Sequence, residues 1–342
     1  MKNNSKTKSE KMILVSDSQE FKDKIGDWSE RWYKIRKRHP LFLFHNNKKD
    51  VEGVSRNIDG TTVEVLKKFG HALSDLKIDV IIDSPGGDMD ASFKSTLIFQ
   101  SLCNYVAVVP RLAKSGATLF TLGASEIIMG KWAELGPLDP QIESIQTERH
   151  YFREQESALE SFHAARFAQR EVLEHLDTFY FYLFRAGLSA KYSVFEAIKL
   201  IEATIGRIYP NVNPFELGSS GRILEVMKKY CIRIMKNSYA STTELVRERV
   251  AHHLVWDYPS HDFYIDLDEA KSIGLKVTEA ELSIQKLLNE LEPFYGKIFA
   301  IGLVLKADKK VAETKEETKA SNDMQATIKG NGKGKEKENE KR

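Results

Sequence analysis

Two short segments of the chain carry residue types suited to nucleophilic catalysis. The first, DSPGGD (Asp83 to Asp88), places two adjacent glycines directly after the apolar run IDVII. Adjacent glycines permit a turn with positive φ and leave main-chain N–H groups accessible to a ligand. The second, AKSGATL, follows about thirty residues later and places Ser115 before Gly116 and Ala117. The pattern predicts a serine hydroxyl beside a main-chain turn that could bind an anion.

A serine hydrolase needs an exposed hydroxyl and N–H donors for the oxygen that becomes negative in the tetrahedral intermediate. Ser115 follows the strand-like run YVAVV at the start of a helix of small residues, near the positive end of the helix dipole. The N–H of Gly86 or Gly87 could supply one donor, and that of Gly116 the other. The alternatives are a helix N-cap serine and an ordinary Pro-Gly-Gly turn.

The elements that must position these residues alternate along the chain. Short apolar runs predict strands at 41–45, 78–83, 105–109 and 126–129, and amphipathic segments predict helices at about 61–75, 88–103 and 115–124. This alternation favours an α/β fold of parallel strands joined by right-handed crossover helices. In such a sheet, ligand chemistry lies at the carboxyl ends of the strands.

A helical region follows, at about 151–250. Residues 151–184 have apolar side chains at helical spacing without Pro or Gly, which predicts one long helix, and GLSAKYSVFEAIKLIEA and GRILEVMKKYCIRIMKNS predict two more. The Pro/Asn-rich segment IYPNVNPFELG predicts a loop between those two. Near the end, FYIDLDEAKSIGLKVTEA predicts a strand edge, a short helix capped by Asp266 or Asp268 and closed by Gly274, and a second edge.

The charge distribution argues against a nucleic-acid partner. Residues 306–342 hold 11 Lys and Arg against 8 Asp and Glu, which leaves 40 against 41 for residues 1–305. A nucleic-acid surface requires a basic excess on the folded part, so we expect none here. Residues 306–342 lack aromatics and are rich in Lys, Glu, Gly and Asn, a composition that predicts a disordered charged tail.

Cofactor, metal and membrane functions find no support in the sequence. Cys103 and Cys231 lie in apolar surroundings outside any CxxC pattern, so we expect buried thiols and no metal site. No GxGxxG fingerprint or pyridoxal-phosphate lysine motif is present, and we expect no cofactor. The apolar runs are too short for a signal peptide or a membrane span. We therefore expect a cytoplasmic protein with no integral membrane segment.

Four segments in one order resemble the serine dehydrogenase proteinase family, within the wider group of Clp protease subunits and signal peptide peptidase A. They are DSPGGD, AKSGATL, EIIMGKWAELGPLDPQI and SHDFYIDLDEAKSIGL. The resemblance is strongest from about residue 40 to 142 and again from about 260 to 277. It implies the Clp/crotonase fold, a superhelix of ββα units, and a serine peptidase that acts through an acyl-enzyme. Ser115 would be the nucleophile, with Gly86, Gly87 and Gly116 around the oxyanion.

The general base is where this sequence departs from the pattern of the group. Clp subunits use a histidine about 25 residues after the serine, yet no histidine lies between Ser115 and His150. Signal peptide peptidases use a lysine farther downstream, and from residue 132 to 190 there is none. The candidates are His261, near the place of the Clp aspartate, together with His150 and Lys131. Asp139, in LGPLDPQ, could orient a base or stabilise a turn between its flanking prolines.

Three functions remain open from the sequence. The first is a serine peptidase with a protein or peptide substrate. The second is a binding or scaffolding protein of the same fold with an altered base, and the third is crotonase-like acyl-CoA chemistry, whose CoA-binding features we do not find. We divide the chain into an N-terminal extension (1–30), a protease domain (31–305) and the tail. The aromatics of FYFYLFRAG predict a homo-oligomer with contacts in the helical region; alternatively, they cover the protomer's own sheet.

Overall fold

The computed structural model describes residues 11–45, 57–69, 73, 76–143, 155–208 and 214–305. The strands are β1 (Lys11–Ser16), β2 (His39–Phe44), β3 (Ile78–Asp83), β4 (Tyr105–Val109), β5 (Leu112–Ala113), β6 (Ile127–Met129), β7 (Glu134–Leu135), β8 (Gln141–Glu143), β9 (Gln155–Ser157), β10 (Val277–Glu279) and β11 (Ala300–Leu305). The helices are α1 (Gln19–Arg36), α2 (Gly60–Lys68), α3 (Met89–Leu102), α4 (Gly116–Leu122), α5 (Glu160–Arg185), α6 (Ala190–Ile208), α7 (Pro214–Ser238), α8 (Glu244–His252), α9 (Leu267–Ser272) and α10 (Leu282–Asn289).

A mixed sheet organises the fold, with the strand order β1-β11-β2-β3-β4-β6-β10. Five strands of this sheet run parallel: β2, β3, β4, β6 and β10. Strand β11 pairs antiparallel with both β1 and β2. Strands β2, β3 and β4 are buried along their whole length, which explains their nearly continuous apolar runs. One face packs against α2, α3, α4 and α7, and the other against α1 and α10. The predicted α/β class with an additional helical region is confirmed.

Helix α1 belongs to the core of this sheet. Its N-cap is Ser18, whose hydroxyl accepts from the N–H of Phe21. Four apolar side chains at helical spacing are completely buried: Phe21, Ile25, Trp28 and Trp32. Because α1 covers one face and β1 pairs with β11, residues 11–30 are part of the folded unit. The sequence placed the domain boundary at residue 31, and no boundary of the core lies there.

The helical region starts later than the sequence predicts. Residues 155–157 form a strand that pairs antiparallel with residues 141–143, so the long helix begins at Glu160. Helix α7 begins at Pro214, inside the predicted loop, because proline is favoured in the first turn of a helix. The short helix α9 is capped by Asp266 and followed by Gly274 at φ +94°, as predicted. Among the described helices, none has the length and apolar composition to cross a membrane.

Asp79 in β3 is a buried carboxylate that joins α1 to the sheet. It accepts from Trp32 Nε1 at 3.0 Å and pairs with Arg36 Nε at 2.9 Å and Arg38 Nε at 2.6 Å. We expect Asp79→Ala to lower the free energy of unfolding by about 3–5 kcal/mol, because two largely buried guanidinium groups would lose their partner. Asp27→Ala, which removes an exposed partner of Arg31, should cost less than about 1 kcal/mol. Urea denaturation measures both, and equal losses would contradict the assignment.

Candidate active site

The Gly-Gly turn at the carboxyl end of β3 is held between two main-chain segments. On one side, Ser84 N–H donates to the carbonyl of Leu112 and Lys114 N–H donates to that of Ser84, each at 3.1 Å. On the other side, Ile58 N–H donates to the carbonyl of Gly86 at 2.7 Å, and Asp88 N–H donates to that of Ile58 at 2.8 Å. These hydrogen bonds hold the turn directly against the segment that ends in Ser115.

Both positions of this turn require glycine. Gly86 has φ +103° and Gly87 has φ +146°, conformations that residues with a β-carbon rarely adopt. A Cβ on Gly86 would lie 2.5 Å from the carbonyl oxygen of Lys114 and 2.8 Å from Ser115 Cβ. A Cβ on Gly87 would lie 2.3 Å from the carbonyl oxygen of Ile58. The glycines thus allow two main-chain segments to approach closer than any other residue would permit.

Ser115 occupies a strained main-chain conformation. Its φ is +49° and its ψ is −121°, a region that costs a residue with a β-carbon about 1–3 kcal/mol. The residue is half-buried and precedes α4, yet its side chain makes no capping hydrogen bond to that helix. An N-cap role therefore does not account for the serine. Strain of this kind persists only where the surrounding structure enforces it, and it is concentrated at functional sites.

The N–H groups around Ser115 differ in their availability. Gly86 N–H donates to Ser84 Oγ at 3.1 Å and is already engaged. Gly116 is the first residue of α4, where N–H groups have no acceptor within the helix. Within the described residues, neither Gly87 N–H nor Gly116 N–H has an acceptor. The sequence predicted three glycines around an oxyanion. Of these, Gly87 and Gly116 have N–H groups without an acceptor among the described residues, whereas Gly86 allows the turn to approach the Ser115 loop closely.

A cleft of about 860 Å³ opens beside Ser115, within the range of ligand-binding sites. Gly87, Ser115 and His261 all line it. One wall is a single face of α7, formed by Ser219, Arg222, Ile223, Val226 and Tyr230. Tyr230 fixes this wall to α3, since its hydroxyl donates to Asp90 Oδ1 at 2.7 Å and its ring stacks on Phe93. The helical region therefore contributes directly to the cleft.

His261 has one ring nitrogen held by the main chain. Its Nδ1 lies 2.7 Å from the carbonyl oxygen of Asp139. A carbonyl oxygen can only accept a hydrogen bond, so Nδ1 carries the proton and the neutral ring keeps a lone pair on Nε2. This is the tautomer that a general base requires.

The side chain of Asp139 makes its hydrogen bonds to residues other than His261. The buried carboxylate accepts from Ser157 Oγ at the end of β9 and from Leu159 N–H at 3.3 Å. Burial raises the pKa of Asp139, and the hydrogen bond from Ser157 opposes that rise. The sequence left two roles open for Asp139, which could orient a base or stabilise a turn. In the structure its carbonyl contacts His261 and its carboxylate binds the segment that leads into α5.

The other two candidate bases are placed differently. The main-chain N–H of Lys131 donates to Gln285 Oε1 at 3.0 Å, and its ammonium lies over the ring of Trp132 at 5.3 Å. This exposed side chain is not among the residues that line the cleft. His150 lies outside the described residues. The structure thus brings His261, and not Lys131, into the cleft with Ser115.

Lys114 is a cleft residue that the sequence reasoning did not single out. Its ammonium donates to the carbonyl of Asp262 at 3.1 Å and pairs with Glu134 Oε2 at 3.1 Å. The lysine precedes Ser115, and Asp262 follows His261, so this side chain ties the two loops together. Its adjacency to Ser115 was visible in AKSG, but its partners are distant in the sequence and gave no signal.

Comparison with known proteins supports the resemblance seen in the motifs. Residues 56–150 match the model of a family described as ClpP-like SDH-type serine proteinases. Two uncharacterized proteins of Methanocaldococcus jannaschii are similar: one is 40% identical over 80 residues, 23% of this chain and 27% of that protein. The other is 42% identical over 83 residues, 23% of this chain and 28% of that protein. The chain thus spans about a quarter of the length of these curated relatives.

Among solved structures, the chain is similar to a membrane-bound stomatin-specific protease, a point mutant in complex with a substrate peptide. The TM-score is 0.38 at 13% identity, with 79% of this chain and 94% of that chain covered. The resemblance to the serine dehydrogenase proteinases is confirmed over the segment that the family model matches. That segment contains the Gly-Gly turn, Ser115 and Asp139, while His261 lies beyond it.

The close approach of Gly86 to the Ser115 loop yields a direct test. We expect Gly86→Ala to lower the free energy of unfolding by about 1–3 kcal/mol through main-chain strain and to distort the turn beside Ser115. Gly60→Ala is the matched control, because a Cβ there has no neighbour within 4 Å. Thermal and urea denaturation compare the two variants. A Gly86→Ala protein as stable as Gly60→Ala would show that the turn tolerates a β-carbon.

Proposed function

We propose that this protein is a serine peptidase in which Ser115 attacks the peptide bond and His261 is the general base. The observation that carries the proposal is the strained Ser115 beside two free N–H donors, in a cleft that also contains a histidine of fixed tautomer. The family match over residues 56–150 supports peptide-bond cleavage as the reaction. The substrate would be a protein or peptide bound along the cleft.

In the first half of the reaction, Nε2 of His261 takes the proton from Ser115 Oγ as that oxygen bonds to the carbonyl carbon. The carbonyl oxygen becomes negative and accepts hydrogen bonds from the N–H groups of Gly87 and Gly116. Collapse of the intermediate breaks the C–N bond, and the amine leaves with the proton from His261. Water then attacks the acyl-enzyme by the same route and releases the acid product.

The proposed roles agree with the electrostatics of the site. The oxyanion donors are main-chain groups at a turn and at the start of α4, where no reorganisation is needed as charge develops. Lys114, although adjacent to Ser115, is paired with Glu134 and bound to the carbonyl of Asp262. Among the described residues, Nε2 of His261 has no hydrogen-bond partner, which makes His261 the better base.

A fluorophosphonate probe tests the nucleophile directly. We expect the probe to modify Ser115, located by mass spectrometry of the digested protein, because only an activated serine reacts. Labelling should be lost in Ser115→Ala and in His261→Ala, while Lys131→Ala should label like the wild type. Circular dichroism confirms that each variant is folded.

The same experiment separates the peptidase from the alternative functions. A folded wild-type protein that does not label would favour a binding or scaffolding role with the oxyanion turn retained. Labelling that persists in His261→Ala would remove His261 as the base and leave His150 as the untested candidate.

We also propose that the protein is a homo-oligomer joined through the hairpin of α5 and α6. Helices α5 and α6 pack against each other, yet much of their apolar surface is exposed. Tyr182 is 69% exposed and Phe184 is 49% exposed, so these rings do not cover the protomer's own sheet. The exposed apolar residues at the end of the hairpin include Phe181, Tyr182, Phe184, Leu188, Tyr192, Phe195 and Ile198.

The size and charge of this surface favour a second copy of the chain. A half-exposed aromatic presents roughly 100 Å², so the five aromatic side chains offer roughly 500 Å², and Leu188 and Ile198 enlarge this surface. This is more than half of the roughly 800 Å² per partner of a stable interface. Residues 160–208 contain six Lys and Arg and six Asp and Glu, a neutral balance that disfavours an anionic lipid surface. Two such hairpins could pack as a four-helix bundle.

Light scattering coupled to size-exclusion chromatography tests the oligomer. We expect a mass above the 39.0 kDa of one chain, and we expect Tyr182→Glu and Phe184→Glu to shift it toward monomer, because a charge is costly at an apolar interface. Leu245→Glu, at another exposed apolar residue on α8, is the control and should leave the mass unchanged. A 39 kDa particle at all concentrations would contradict the proposal.

A further inference from the structure

A chain of contacts connects the start of the helical region to His261. Ser157 Oγ donates to the carboxylate of Asp139, and Leu159 N–H donates to the other oxygen of that carboxylate. Ala158 N–H donates to the carbonyl of Pro140 at 2.8 Å, so the two segments are joined by main chain as well. The carbonyl of Asp139, thus fixed, holds Nδ1 of His261.

We infer that Ser157 and Asp139 are positioning residues for His261, and that Asp139 acts through its main-chain carbonyl while its carboxylate serves as the anchor. This inference rests on the proposed function, because it assigns how the base of that site is oriented. Ser157 lies in β9, outside the segment that the family model matches.

The geometry distinguishes this arrangement from one in which a carboxylate binds the histidine directly. Each carboxylate oxygen of Asp139 already accepts a hydrogen bond from the 157–159 segment, and the contact to His261 is made by the carbonyl. An amide at position 139 retains an acceptor for Leu159 N–H and can donate to Ser157 Oγ. Asp139→Asn would therefore preserve the anchor and the carbonyl, whereas Ser157→Ala would remove one of the two anchoring donors.

The carboxylate of Asp139 also interacts electrostatically with two histidines, so removing its charge is expected to affect the rate by itself. The charges of His261 and His163 both lower the pKa of Asp139, against the larger effect of burial. Asp139→Asn removes this charge, so a modest fall in rate is expected even with the geometry intact. A modest fall differs sharply from the loss expected when a carboxylate that binds the imidazole is replaced, which is about 10⁴-fold in kcat.

Steady-state kinetics with a peptide substrate measures how much the anchoring of Asp139 by Ser157 contributes to kcat. We expect Asp139→Asn to lower kcat by less than about 100-fold, well short of the triad value. We expect Ser157→Ala to lower kcat several-fold with KM unchanged and Ser157→Thr to restore it, because threonine keeps the hydroxyl. Ser101→Ala, which removes a hydroxyl bonded to the carbonyl of Ile98, is the matched control and should not change kcat. A larger loss in Asp139→Asn, or no loss in Ser157→Ala, would overturn the inference.

A second measurement does not depend on activity. Nitrogen chemical shifts of ¹⁵N-labelled histidine report which ring nitrogen carries the proton, and the spectrum of His261→Gln identifies the His261 signals. We expect the Nδ1–H form in the wild type and in Asp139→Asn. Loss of that form in Asp139→Asn would show that the carboxylate fixes the tautomer and would overturn the inference. A wild type without peptidase activity but with this tautomer would refute the proposed function and leave the orientation of His261 intact.

Discussion

The contact on which the site depends is the approach of the Gly86 main chain to that of Lys114, Ser115 and Gly116. Neighbouring parallel strands end at the same edge of a sheet, so the loops after β3 and β4 emerge side by side. Only glycine allows them to touch, since a Cβ on Gly86 would lie within 3 Å of all three residues. The hydrogen bonds between Ser84 and the 112–114 segment hold the residues before Ser115 against this turn, and Ser115 itself has a positive φ. The strained conformation of Ser115 thus lies at this contact.

An ion pair between a buried carboxylate and a partly exposed guanidinium holds the same two loops. Asp83, the last residue of β3, receives two hydrogen bonds of 3.0 Å from Arg111, which lies between β4 and β5. Gly296 N–H donates to the same carboxylate at 2.6 Å. Burial raises the pKa of Asp83, while Arg111 opposes that rise. Such pairs contribute little net stability but are costly to break, so this pair fixes the two loops relative to each other.

The sequence predicted the elements whose pattern is local. The buried strands β3 and β4 agree with their apolar runs to the residue, and the positive φ of Gly86 and Gly87 agrees with the turn that their types predict. The β8–β9 pairing and the contribution of α1 to the core were missed, because both depend on partners far away in the chain. The carbonyl of Asp139 could not be identified, since every residue has a carbonyl and its use leaves no signature in the sequence. The α7 wall was likewise visible only after folding.

The use of a carbonyl in place of a carboxylate has an electrostatic consequence for the proposed mechanism. A carbonyl fixes the tautomer of His261 as well as a carboxylate would, but it is neutral and stabilises the imidazolium less. The missing charge is nearby, because the carboxylate of the same residue is buried within electrostatic reach of His261. Orientation and charge, which a triad aspartate combines in one group, are here divided between the main chain and the side chain of Asp139. In the proposed mechanism the rate depends on the anchoring of Asp139, and through β9 and α5 the helical region contacts the residue that holds His261.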